Sequence, residues 1–257
     1  MIKETSGNLT VGAYRNLRSA IISCRFRPGE KLVISDLCKA LGVSLGAVRE
    51  ALSRLATEGL VTAEPQKGFR VAPISEAELQ DLTQARALIE ESCLDRAIGA
   101  GDVKWEAGIV SALHELSRIP LRDAADPERI NDAWTQAHAR FHAALVAACD
   151  SPWLLRLREI LYAQSERYRQ LSVPLDQHHR DVDAEHRAIA DAVLAREAPR
   201  AKGLSKDHML KTMRILIEAK VVEPAGAAVA PRKAAPMPQA RGRARAGKPP
   251  RAAAVDA

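Results

Sequence analysis

The chain has 257 residues, 47% of them hydrophobic and only 4% aromatic, with 38 basic against 32 acidic side chains. That length suffices for two domains with a substantial core. No apolar run reaches 18 residues, which excludes a membrane-spanning helix. Met1–Ser6 lacks the apolar core of a signal peptide, so the expected location is the cytoplasm. Cys24, Cys38, Cys93 and Cys149 show no CxxC spacing, which speaks against a disulfide scaffold or a zinc knuckle and for reduced thiols.

Charge is unevenly placed. The first 75 residues carry five more basic than acidic side chains, residues 76–220 four more acidic than basic, and residues 221–257 again five more basic. A basic head on an acidic body is expected where only the head meets nucleic acid.

A first helix is predicted over residues 10–24, with Leu17, Ala20, Ile21 and Cys24 on one side and Pro28-Gly29 ending the unit. Leu37 and Leu41 mark the apolar face of a short helix that Gly42 breaks, because Gly adopts the left-handed conformation at little cost. Ser44 is a good N-cap for the next helix, on which Val48, Leu52 and Leu55 follow at i, i+4 and i+7. Two short helices joined by a tight turn read as a helix-turn-helix, whose second helix enters the DNA major groove with its N-terminal residues at base edges. Ser44, Leu45, Gly46, Arg49 and Arg54 are the candidate contacts on it.

Residues 59–63 and 68–72 are short runs containing β-formers, joined by Glu64-Pro65-Gln66-Lys67. They predict a β-hairpin, the wing of a winged helix, with Lys67 and Gly68 at its tip. Lys67 can meet a phosphate or reach the minor groove. On periodicity alone, an ordinary helical pair followed by a structural hairpin fits as well.

Ser75 followed by Glu78 is a capping box that opens an all-helical second domain. Its helices are expected at about 76–100, 104–118, 127–149, 152–171, 182–196 and 199–221, with Asp126-Pro127 and Ser151-Pro152 as Pro-at-first-turn starts. Leu79, Leu82, Ala85, Ile89, Cys93 and Ala97 are the expected buried face of the first. The fold class is mainly α: a winged helix-turn-helix over 1–74, an antiparallel helical bundle over 75–222, and a disordered basic tail over 223–257. The Arg-Gly-Arg-Ala-Arg run of the tail can attract phosphates without sequence preference, or serve only solubility.

His138 and His142 lie one turn apart on one helix, beside Trp134, Phe141 and Leu145, so their face points inward. His186 and His208 sit on two later helices. Three helices of a bundle can bring four imidazoles to one point, where a divalent metal can join them; imidazole suits zinc, nickel, copper and iron. Separate structural histidines are the plain alternative. A metalloprotease helix needs His-Glu-x-x-His, and Ala139 stands where that Glu would be; no Gly-x-Ser-x-Gly elbow or phosphate-binding Gly loop is present. A metal site without a nearby base favours ligand sensing over a metal-dependent hydrolase with a DNA-binding appendage. Arg86 can pair bidentately with an effector carboxylate, or form an i, i+4 ion pair with Glu90. Arg140, beside the His pair, is a second candidate for a pocket anion.

The ordered motifs Arg27-Pro28-Gly29-Glu30-Lys31-Leu32, Leu41-Gly42-Val43-Ser44, Val48-Arg49-Glu50-Ala51-Leu52, Glu58-Gly59-Leu60-Val61 and Lys67-Gly68-Phe69-Arg70-Val71 resemble the GntR family of winged-helix regulators. Many relatives carry Arg where this chain has Leu45, which can instead meet a thymine methyl. Arg86 with Glu90, Phe141-His142, Glu185-His186 and His208 resemble the FCD effector domain of the FadR branch of that family. The resemblance implies a helical bundle whose pocket holds a metal, commonly on one Asp and three His; the Asp position is His138 here. Within the branch, Trp134 with His138–His142 and Arg167-Tyr168-Arg169 is most similar to a CsiR-like subgroup, which implies a glutarate-like effector. The expected protein is a homodimeric, ligand-responsive regulator, most simply a repressor of a carboxylate-breakdown operon, bound to palindromic half-sites. It would hold a divalent ion such as zinc or nickel and touch no membrane. A nucleoid-type protein indifferent to sequence is the remaining alternative.

Overall fold

A computed structural model describes residues 6–176, 180–220 and 222; the basic tail expected over 223–257 lies outside them. The architecture is mainly helical, as expected. The head contains α1 (Ser6–Ile22), β1 (Lys31–Leu32), α2 (Ile34–Leu41), α3 (Leu45–Thr57), β2 (Val61–Glu64) and β3 (Gly68–Val71). Gly42 has φ +66°, and its N–H caps α2 by donating to Cys38 O at 2.9 Å. Ser44 caps α3, accepting from Ala47 N at 3.3 Å. Leu17, Ile21, Leu37, Val48, Leu52, Leu55 and Val71 close the core between α1, the two helices of the motif and the sheet. The antiparallel sheet runs β1-β3-β2, with Arg70 of β3 paired to Lys31 on one side and Thr62 on the other. β1 is too short to show the period-2 alternation by which a strand is read from sequence.

The second part comprises α4 (Glu76–Ala100), α5 (Val103–Ser117), α6 (Asp132–Leu145), α7 (Pro152–Ser172), a 3-10 turn (Val173–Leu175), α8 (Val182–Leu194) and α9 (Ala198–Glu218). Ser75 caps α4 and Ser151 caps α7, each accepting from the N–H three residues on. Its core is built from Leu94, Ala97, Trp105, Ile109, Phe141, Leu145, Ile189 and Val193, among others.

Three expectations need correction. The first helix runs Ser6–Ile22 rather than 10–24, so Cys24 falls beyond its end, with φ 53°. The helix expected from Asp126-Pro127 begins at Asp132, capped by Asn131, and ends at Leu145 rather than near Cys149. Asp126 instead belongs to a turn: its carboxylate accepts from Glu128 N at 3.2 Å, and its carbonyl from Arg129 N at 2.9 Å. Asp before Pro is as good a turn signal as a helix start. The buried stripe of α4 is also rotated. Leu79, Cys93 and Ala97 are buried as expected, but Thr83, Ala87, Glu90 and Leu94 complete the face, while Leu82, Ala85 and Ile89 are half-buried. Two inward positions are polar because each finds a partner: Thr83 donates to Leu79 O at 2.7 Å, and Glu90 pairs with Arg158 at 2.9 Å.

Helix α7 joins the two parts. Gln164 donates to Glu58 O at the end of α3, Arg167 donates to Ala72 O after the wing, and the Cys24 thiol lies 3.5 Å from Arg167 O. Beside these bonds a cleft of about 960 Å³ opens between α1 and the faces of α6 and α7.

Candidate DNA-reading surface and effector site

At the start of α3, Ser44, Leu45 and Gly46 are exposed, Leu45 by 55%. Arg49, one turn on, is exposed and its side chain makes no hydrogen bond or ion pair with the described residues, so its guanidinium is free to meet a base edge or phosphate. Lys67 and Gly68 are exposed at the wing tip, where Gln66 (φ 61°) and Gly68 (φ +95°) take left-handed backbone to reverse the chain. Arg54 is exposed but lies back on α1, its guanidinium 4.2 Å above the Tyr14 ring.

In the bundle, His138 and His142 of α6, His186 of α8 and His208 of α9 come together, all buried, with one nitrogen of each within 4.8 Å of the others. Nε2 of His138 and Nε2 of His142 are 3.1 Å apart. Zinc–nitrogen bonds of about 2.0–2.1 Å place neighbouring nitrogens of a tetrahedron roughly 3.3 Å apart, so this separation is close to a coordination edge. The outer nitrogens of two rings are held: His138 Nδ1 by Tyr162 Oη at 2.9 Å, and His208 Nδ1 by Glu185 at 2.8 Å. Such outer bonds orient metal-binding imidazoles and turn Nε2 toward the centre. Burial, reinforced by neighbouring positive charge, pushes the pKa of His138, His142 and His186 well below the ordinary value and that of His208 down to about 4. The four rings are therefore neutral at pH 7 and offer lone pairs.

His186 supplies the test of fit. It is fully buried, and neither ring nitrogen has a partner among the described residues. An unpaired buried polar group costs about 1–3 kcal/mol. A divalent ion at the centre of the cluster would satisfy one of those nitrogens, so the residues present fit such an ion.

Around the cluster the charges are ordered. Glu90 is engaged by Arg158 of α7, so the pairing of Arg86 with Glu90 on the helix surface does not form. Arg86 turns inward: it donates to Ser165 Oγ at 2.8 Å, stacks 4.9 Å over Tyr162, and keeps a buried Nε without a partner among the described residues. A cavity of about 30 Å³ lies between Arg86, Arg169, His138, His208, Thr83 and Thr212. Arg140 is not part of this arrangement. It points to the surface and pairs with Glu115 at 2.5 Å, both half-exposed. Sequence reasoning missed Tyr162 and Ser165 as partners of the site, because α7 carries them without any motif that marks a ligand; Arg169 and Glu185 stood within quoted motifs but were given no role there.

Comparison with known proteins identifies the family and the fold. Residues 9–71 match the bacterial regulatory proteins of the gntR family, and residues 81–211 match the FCD domain. The chain is 39% identical to the HTH-type transcriptional repressor GlaR of Escherichia coli, covering 82% of this chain and 96% of that one. It is 38% identical to an uncharacterized HTH-type transcriptional regulator, BphR, of Paraburkholderia xenovorans, covering 81% and 85%. A GntR transcriptional regulator from Rhodococcus sp. RHA1 shares its fold with a TM-score of 0.65 at 25% identity, covering 82% and 98%. The chain belongs to the GntR family and carries that family's FCD domain. It is a DNA-binding transcription regulator, and the relatives are named as regulators rather than enzymes.

Proposed function

We propose that the chain is a metal-dependent carboxylate sensor that represses transcription as a cytoplasmic homodimer and leaves its operator when a small carboxylate binds the bundle. The head over 1–74 reads DNA through Ser44, Leu45, Gly46, Arg49, Lys67 and Gly68, with Arg54 held back on Tyr14, and residues 75–222 sense and dimerise. The observation that carries the reading is the buried four-histidine cluster with an unpartnered imidazole beside an unpartnered arginine donor. A repressing role is supported by the likeness to GlaR, which is named a transcriptional repressor.

His138, His142, His186 and His208 hold one divalent ion, zinc or nickel by the preference of imidazole. When bound, the ion supplies a cationic seat for an oxygen ligand, and its full charge remains because neutral imidazoles cancel none of it. Arg86 orients the effector by pairing its guanidinium with a carboxylate. A short diacid of the glutarate type suits a site that is cationic at both ends.

Dimerisation is supported by an apolar row on α7. Trp153, Leu157 and Ile160 are exposed at i, i+4 and i+7, and Leu88 of α4 is exposed as well. Because Glu90 meets Arg158 and Arg86 meets Tyr162 and Ser165, α4 and α7 run antiparallel and Leu88 lies level with Ile160. A second copy packing the same face against it gives the two-fold symmetry that palindromic half-sites require.

Elemental analysis of purified protein, followed by thermal shifts with straight-chain diacids, tests the reading. The expected result is a stoichiometric divalent ion and a diacid-dependent rise in melting temperature, since a ligand of the folded state alone stabilises it. Metal-free protein with no shift on adding zinc or nickel would remove the site.

A further inference from the structure

The ion pair between Arg169 and Glu166 forms a wall between two cavities. Arg169 lines the small cavity over His138 and His208, whereas Glu166 lines the cleft that separates α1 from the bundle. Both side chains are largely buried, and Glu166 also takes a 3.4 Å contact from Gln170. Arg169 is not saturated by this pair. Its Nη1 is buried without a partner among the described residues, as is Nε of Arg86 across the same cavity. The Arg169 guanidinium stacks 4.9 Å from the Trp134 ring, and Trp134 in turn stacks on His138 with centroids 4.6 Å apart. Trp134 therefore gives the guanidinium a second partner on the histidine side, apart from Glu166.

Two arginines with spare donors, and one carboxylate already in place, describe an anion site whose occupant is built in. We infer that Arg169 is the second arm of the effector clamp, and that an incoming carboxylate takes Arg169 away from Glu166. This rests on the sensor reading above and adds to it the residue that selects diacids and the internal group they displace. The site takes a short dianion: one end lies over the histidines and the other is gripped by Arg86 and Arg169, with the hydroxyls of Ser165, Thr83 and Thr212 close by. A cavity of about 30 Å³ has room for water alone, so the diacid enters only as Arg169 and Glu166 part. Glu166 is then left as an unpaired carboxylate on the wall of the interdomain cleft, across which Arg15 and Arg18 of α1 also lie. The exchange thereby carries the presence of effector to the DNA-reading half as a change of charge.

The test uses full-length, metal-loaded protein and calorimetric titration with succinate, glutarate and adipate, with butyrate and pentanoate as monoacid controls. Wild type, Arg169→Gln, Arg169→Lys and Glu166→Gln are compared, with metal content measured for each to report an intact fold. Arg169→Gln should cost the best diacid at least tenfold in affinity and abolish its preference over the monoacids. Arg169→Lys should lie between, because an ammonium keeps the charge but not the fork. Glu166→Gln should tighten diacid binding several-fold, since no resident carboxylate competes. Diacid preference that survives Arg169→Gln overturns the clamp and leaves the sensor standing, as does equal binding of mono- and diacids by wild type. Weaker diacid binding in Glu166→Gln with full metal content overturns the exchange. Wild type that binds none of the five acids overturns the sensor reading together with the clamp.

Discussion

At the scale of single residues, the four histidines set a pH dependence whose sign follows from their burial. Each is held neutral in the folded chain, with its pKa lowered; that of His208 falls to about 4. In the unfolded chain a histidine titrates near 6.5. Below about 6.5 the unfolded state therefore binds more protons than the folded one, and stability falls as pH drops toward the folded values. Metal-free protein should show a level melting temperature above about pH 6.5 and a steady decline from there toward pH 5, before most carboxylates titrate. Bound metal should steepen the decline, because the ligating nitrogens must lose their protons. Circular dichroism melts across that range give the answer, and a melting temperature indifferent to pH between 6.5 and 5 is incompatible with four neutral buried imidazoles. On the DNA side, Arg49→Ala should weaken operator binding by roughly 1–3 kcal/mol if the guanidinium meets a base edge. Unchanged affinity in a gel-shift titration at fixed salt removes Arg49 from the interface. The histidines and Arg49 were legible because helical spacing and a capped helix start fix where such side chains point. Arg169 stood within a quoted motif but without a role, because nothing in its local sequence shows that the fold buries it beside the histidines.

At the scale of elements, legibility depended on how local the signal was. α4 begins and ends where its Ser75 cap and the residues Gly99 to Gly101 place it, and α7 starts at Ser151-Pro152 as expected. α6 starts five residues late because Asp126-Pro127 suits a turn as well as a helix, and only the packing of Ile130 and Trp134 into the core decides between them. The rotated face of α4 is a tertiary effect of the same kind. Glu90 turns inward because Arg158, 68 residues later, meets it there. α7 is the least readable helix, since one side serves the site, a second the head, and a third shows Trp153, Leu157 and Ile160 to solvent. That third side carries a prediction about assembly. Leu157→Asp puts a charge in the middle of the proposed two-fold contact, where a second copy of the same charge would face it. Sedimentation velocity should show the wild type as a dimer and the variant as a monomer with an unaltered circular dichroism spectrum. A variant that stays dimeric places the contact elsewhere.

At the scale of the whole molecule, a basic head and a basic tail flank an acidic body. Removing residues 223–257 should flatten the dependence of log affinity on log salt, because fewer counterions are released, and should leave the preferred sequence as it was. Regulation further requires that the bundle and the head be coupled. Bonds to the head leave α7 within a single turn of the residues that face the site. Tyr162 holds His138 and Ser165 holds Arg86, while between and just after them Gln164 reaches Glu58 O and Arg167 reaches Ala72 O. Any shift of α7 on effector binding is therefore delivered to the end of α3, which positions the DNA-reading turn. Arg167 is fully buried, so its loss would disturb the fold; Gln164 is half-buried and can be cut back cleanly. Gln164→Ala should leave both end affinities, for operator alone and for diacid alone, within about twofold of wild type, while the factor by which diacid weakens operator binding falls toward one. Coupling of this kind is typically worth about 1–3 kcal/mol, or 5–150-fold, and is reciprocal. The operator should therefore also cease to weaken diacid binding in the variant. Measuring both arms in one cycle separates a broken link from a damaged site, since damage changes an end affinity. If diacid releases Gln164→Ala from its operator as fully as it releases wild type, the contact with Glu58 does not carry the signal.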